Sequence, residues 1–122
     1  MPDLLDTART LIERPDLGAA GVWQRAAAFL ARQELEASLV RLWITNLPGV
    51  ERSSTTTQLA CLEYLSPDPD LAADVRAAWN ALSRACHHHH YELAPTAPEL
   101  NHWINQVEHL SAALGKSEPR PA

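Results

Sequence analysis

Apolar residues recur along this chain at spacings of three and four, and breakers cut the periodic runs into five segments. The first, Asp3 to Glu13, carries Leu4, Leu5, Ala8, Leu11 and Ile12 at helical spacing, and Pro15 with Gly18 to Gly21 closes it. The second runs from about Val22 to Asn46 and ends at Pro48-Gly49. Phe29, Leu30, Ala37, Val40 and Ile44 predict its apolar face, and Arg25, Arg32, Glu36 and Arg41 a solvated one. A third helix is expected to start within Ser53 to Thr57, with Thr55 and Gln58 as a capping box, and to end near Tyr64. Asp68 suits the cap of a fourth helix and Pro69 its first position. That helix is expected to run into the histidines 87 to 90, with Leu71, Val75, Trp79, Leu82, Cys86 and His89 inward. A linker, Tyr91 to Pro95, leads to a second capping-box pair, Thr96 and Glu99, with Pro98 in the first turn. The last helix turns Leu100, Trp103, Ile104, Val107, Leu110 and Leu114 inward, and Gly115 is its expected C-cap.

Four main helices and a short one, joined by short loops, predict an all-α up-and-down helical bundle over residues 1–115. The proline-containing tail, residues 116–122, is expected to be disordered. At 122 residues the chain fits one domain, and it can bury roughly two-thirds of its unfolded surface without disulfides. Its net charge of −5 argues against a surface coated in Lys and Arg to follow a nucleic-acid backbone. It leaves room for a small, local cationic site. The two cysteines, Cys61 and Cys86, make no disulfide framework and suit a reducing compartment, so the expected location is cytoplasmic. No apolar run approaches the ~18 residues of a membrane span, and Met1-Pro2-Asp3 lacks the pattern of a signal peptide. Neither GxxxxGK[ST] nor GxGxxG occurs, which excludes the glycine-rich phosphate loops.

The chemistry concentrates in Arg84-Ala85-Cys86-His87-His88-His89-His90-Tyr91. Four consecutive histidines exceed what one helix cap needs. When protonated they repel one another, which lowers some of their pKa values and yields a mixed neutral and protonated cluster near pH 7, suited to general acid–base work. On a helix that continued, Arg84 would lie one turn before His88, about 40° around the axis. Asn80 lies one turn before Arg84. Asn80, Arg84 and His87 or His88 would then form a polar ridge beside the apolar stripe. A guanidinium that steadies a phosphate, next to an imidazole that moves protons, is a minimal kit for a phosphodiester.

Arg84-x4-His89-x-Tyr91 resembles the R-x4-H-x-Y pattern of HEPN domains, all-α bundles that occur in bacterial toxin–antitoxin pairs and RNA-targeting defence proteins. The run RAAAFLARQELEASLVRLW is similar to the second helix of that fold, and WNALSRACHHHHYELAPTAPELNHW to small actinobacterial HEPN proteins. The resemblance covers roughly residues 4–114. It implies a homodimer that brings Arg and His from both subunits into one cleft. It implies a ribonuclease in which the RNA 2′-hydroxyl attacks the adjacent phosphate, with no metal or cofactor, leaving a cyclic phosphate. Arg84 would contact the phosphate and His89 would serve as acid and base, assisted by His88 or His90. Asn80 and His87 would bind substrate beside Arg84. Tyr91 matches the tyrosine that nucleotidyltransferase antitoxins modify with AMP, which would make such an antitoxin a partner. One position departs from the pattern. The residue after the motif arginine is usually polar, and here it is Ala85. That departure fits a second expectation, a non-catalytic HEPN module that binds nucleotide, RNA or a protein.

Plainer readings stand beside these. Arg84 would form a surface ion pair with Glu92 or Asp74. His89 would be a core or interface histidine, Tyr91 a packing residue, and Cys86 an inert buried thiol rather than a nucleophile. Trp23, Trp43, Trp79 and Trp103 read as core, or as marks of a subunit interface. A rival chemistry is metal binding. His102 and His109 share a face of the last helix with Glu99 and Gln106, and that face could meet the histidine run.

Overall fold

Four of the five described α-helices start at a side-chain oxygen that accepts from an otherwise unpaired amide. Asp3 takes the Asp6 N–H at 2.7 Å and opens α1, Leu4–Glu13. The structure, a computed structural model, describes residues 3–14, 22–87 and 94–116. The remaining helices are α2, Trp23–Asn46; α3, Thr55–Leu65; α4, Pro69–Cys86; and α5, Ala97–Gly115. A short 3-10 turn, Val50–Arg52, precedes α3. The architecture is an all-α helical bundle, and no described helix is long and apolar enough to cross a membrane. Of the expected tail, residues 116–122, Lys116 is ordered as the cap of α5, and residues 117–122 lie outside the described residues.

The central element is α2, which packs against α1, α4 and α5. It buries Ala27, Ala28, Ala31, Leu35, Ser38, Leu39, Leu42 and Trp43. This corrects the expected face: Phe29 and Ile44 are exposed, and Leu30, Ala37 and Val40 only half-buried. Apolar residues surround α2, so periodicity could not select a face. A helix with three neighbours instead places its small residues where they come closest. Four other lines complete the core: Leu5, Ala8 and Ile12 of α1; Leu59, Leu62 and Leu65 of α3; Ala72, Val75, Ala78 and Leu82 of α4; and Leu100, Ile104, Val107, Leu110 and Leu114 of α5. The α4 stripe is thus turned slightly from its expected course, leaving Leu71, Trp79 and Cys86 half-buried. Among the tryptophans only Trp43 is fully buried; Trp23, Trp79 and Trp103 pack at the edge of the core.

Two caps differ from expectation. Ser54, not Thr55, is the N-cap of α3, and it accepts from the Thr57 N–H at 3.2 Å. Gln58 is buried and reaches back, its amide donating to the carbonyls of Glu51 (3.3 Å) and Ser53 (3.0 Å). It pins the 3-10 turn to α3 rather than closing a capping box. At the far end, α5 runs through Gly115, and Lys116 closes it in a right-handed conformation, so Gly115 is no left-handed cap. The other starts follow the sequence: Asp68 accepts from Asp70 and Leu71 at 3.1 Å each, with Pro69 at the first position, and Thr96 accepts from Glu99 at 3.2 Å. Between α2 and the 3-10 turn, Gly49 has φ 112°, a conformation costly for any residue with a Cβ.

Candidate functional site

Helix α4 ends at Cys86, and His87 caps it with φ −114° and ψ 17°, its N–H donating to the Arg84 carbonyl at 3.1 Å. The helix expected to end within histidines 87 to 90 thus stops at Cys86 with His87 as its cap, and the relation of Arg84 to His88 falls outside the described residues. His88, His89, His90 and Tyr91 lie outside the described residues, as does Glu92. Of the residues singled out by the sequence, Asn80, Arg84 and His87 are described. Asn80 and Arg84 are one turn apart and His87 follows within the last turn. Asn80 is half-buried, and Arg84 and His87 are exposed. No ion pair to Arg84 forms among the described residues, so the expected Asp74 partner is not one.

The end of α4 faces the start of α2 across an open groove of about 480 Å³. Val22, Arg25, Ala26, Phe29 and Arg32 line one wall, and Cys86 and His87 the other. Arg25, Phe29 and Arg32 stand at i, i+4 and i+7, which puts them on one face of α2. The side chain of Arg32 is only 18% exposed. Its Cζ lies 5.6 Å from the centre of the Phe29 ring, a cation–π distance. Its Nε is 3.8 Å from Glu36, beyond hydrogen-bond reach, and is buried without a partner. Arg25 is exposed and forms no ion pair among the described residues. The first turn of α2 holds no acidic side chain and its N-cap, Val22, supplies no side-chain acceptor. The positive end of the helix dipole thus adds to the two guanidinium groups.

Behind the groove, Glu36 ties three helices together. Its carboxylate accepts from the Thr55 hydroxyl at 2.9 Å and from the Trp79 indole N–H at 3.4 Å. Cys86 lies close by. Burial is the largest influence on its thiol and pushes its pKa above the ordinary 9.0; Arg32 pulls it down and Glu36 pushes it up again. The thiol is protonated at neutral pH, which favours the inert reading over the nucleophilic one.

The sequence missed Arg25, Phe29 and Arg32 as site residues. It read the arginines as a solvated face and Phe29 as core. Their i, i+4, i+7 spacing was the available signal.

Elsewhere, a second cavity of about 430 Å³ lies between the C-terminal ends of α2 and α5. Three of its polar side chains are paired: Ser38 and Ser111 are 2.8 Å apart, and Arg41 donates to Ser38 at 2.9 Å and to Glu34 at 3.0 Å. His102 and His109 are exposed on α5, and no three His, Cys, Asp or Glu residues gather into a metal-holding group among the described residues. Compared with known proteins, the chain gives no match to any protein-family model, to any curated protein or to any solved structure.

Proposed function

We propose that this chain is a metal-independent endoribonuclease of HEPN type, the toxin of a toxin–antitoxin pair, acting as a homodimer. One observation carries the reading. Arg84 is exposed in the last turn of α4 and forms no ion pair among the described residues, and the histidine run begins where that helix stops, beside a groove bearing two more arginines. Arg84 holds the scissile phosphate with its planar fork of donors. A neutral histidine of the run takes the proton of the RNA 2′-hydroxyl, whose oxygen attacks the adjacent phosphorus. The bond from phosphorus to the 5′-oxygen breaks, and a protonated histidine gives that oxygen its proton. The products are a 2′,3′-cyclic phosphate and a 5′-hydroxyl. His89 carries the acid–base role, with His88 or His90 assisting, and Asn80 and His87 bind substrate. Tyr91 is the position a nucleotidyltransferase antitoxin would modify with AMP.

The test is an RNA digest by the purified full chain in EDTA, beside inducible expression in a bacterial host. Fragments with cyclic phosphate ends and growth arrest are expected for the wild type. Both should vanish in the Arg84→Ala/His89→Ala double variant, whose far-UV circular dichroism should be unchanged. Cleavage that persists in that variant, or that requires a divalent metal, refutes the mechanism. Ala85 favours a second reading, a non-catalytic HEPN module that binds nucleotide, RNA or a protein. Binding of RNA without any cleavage by well-folded wild type would select it.

A further inference from the structure

The groove between the start of α2 and the end of α4 is a local concentration of positive charge on a chain whose net charge is −5. Arg25 and Arg32 point to it from one helix face, and His87 closes it from the other side. Neither guanidinium has a hydrogen-bond acceptor among the described residues, whereas Arg9, Arg41 and Arg76 are all paired with Glu108, Glu34 and Glu63. Arg52 and Arg84 form no ion pair among the described residues, so it is the placement of Arg25 and Arg32 on one groove wall, either side of Phe29, that offers an anion two forks of donors. Phe29 lies between them and is 43% exposed. An aromatic ring left open to solvent between two arginines gives no packing advantage, but it provides a platform for a planar group. The volume falls in the range of small-ligand sites.

We infer that this groove binds one nucleotide, its phosphate held by Arg25 and Arg32 and its base laid on Phe29. The inference rests on the ribonuclease reading for the choice of a nucleotide over other phosphate esters. On that reading the groove is the subsite for a nucleotide flanking the scissile bond, since His87 belongs both to its wall and to the histidine run. Base stacking on a ring is tolerant of sequence, so this subsite confers affinity and register rather than base choice. Glu36 stands behind Arg32 at 3.8 Å, too distant to bond it and near enough to hold its position.

The experiment titrates the full chain with 5′-AMP, with inorganic phosphate and with a short polyglutamate peptide, followed by calorimetry and by amide chemical shifts. AMP is expected to bind at least fivefold tighter than phosphate and to shift the amides of Arg25 to Arg32 and of His87. Arg25→Gln, at an exposed and unbonded position, should weaken both ligands about tenfold, the loss of one charge-assisted bond pair. Phe29→Leu should weaken AMP about tenfold and leave phosphate unchanged. AMP no tighter than phosphate, Phe29→Leu without effect, shifts confined to another surface, or polyglutamate competing as well as AMP would each overturn the inference. The two readings separate cleanly. Arg84→Ala should abolish cleavage and keep AMP affinity. AMP binding by a wild type that cleaves no RNA leaves the groove and removes the nuclease; cleavage without AMP binding does the reverse.

Discussion

Replacing Glu36 tests both the bundle and the groove. Its carboxylate accepts from Thr55 at 2.9 Å and from Trp79 at 3.4 Å, and Arg32 approaches to 3.8 Å. The Thr55 bond is short, part-buried and made to an ionised acceptor, worth about 1.5 kcal/mol. The Trp79 bond is long and contributes roughly 0.5 kcal/mol. The Arg32 contact, an i,i+4 pair beyond bonding distance, adds about 0.3 kcal/mol once solvent screening is allowed for. Glu36→Ala should therefore cost about 2 kcal/mol. Glu36→Gln keeps an acceptor oxygen for both donors and should cost about 1 kcal/mol, or roughly 3–5 °C in Tm. Urea unfolding followed by far-UV circular dichroism measures both. A second signal comes from Cys86, whose thiol Glu36 pushes upward in pKa. In a Cys61→Ser background, Glu36→Gln should speed alkylation of Cys86 at pH 8. If both variants unfold within about 0.3 kcal/mol of wild type, below the usual scatter of additivity, the carboxylate does not tie α2, α3 and α4 together. If Glu36→Ala is costly while Thr55→Ala and Trp79→Phe are silent, the loss arises elsewhere and the assignment fails.

Gly49→Ala should destabilise the chain by about 1–2 kcal/mol, because φ 112° is strained for alanine even though its Cβ would meet nothing within 4 Å; an unchanged urea midpoint would refute this. Cys86 gives a pH dependence. Its pKa is raised in the folded state, so near and above pH 9.0 the folded chain binds more protons than the unfolded one, and stability falls as pH rises. Scanning calorimetry between pH 7 and 10 should show a decline in Tm that is smaller in Cys86→Ala; equal declines would refute the assignment.

The starts of α4 and α5 were legible because their signals are local. Asp68 with Pro69, and Thr96 ahead of Glu99, act through amides two or three residues away, and the sequence displays both partners. The inward line of α5 was legible because that helix has one apolar stripe. The face of α2 was not, because apolar residues surround it and only the arrangement of three neighbours decides that alanines go inward and Phe29 outward. The groove was hidden for the same reason: Arg25, Phe29 and Arg32 meet Cys86 and His87 across more than fifty residues of sequence. Composition placed the candidate motif at the end of α4, but the stop at Cys86, with φ −114° at His87, is not encoded in residue identity.

The alanines of α2 have an evolutionary corollary. Ala27, Ala28 and Ala31 are fully buried on the side of the helix that meets its neighbours, and they interleave in sequence with Arg25, Phe29 and Arg32, which line the groove. Adding a methyl group to any of the three displaces α2 from its neighbours and moves the groove wall with it. Core volume and groove width are therefore a single inherited trait. A change in the width of the groove at this wall calls for a repacked core, and a fixed width holds these positions to small residues whatever their effect on helix stability.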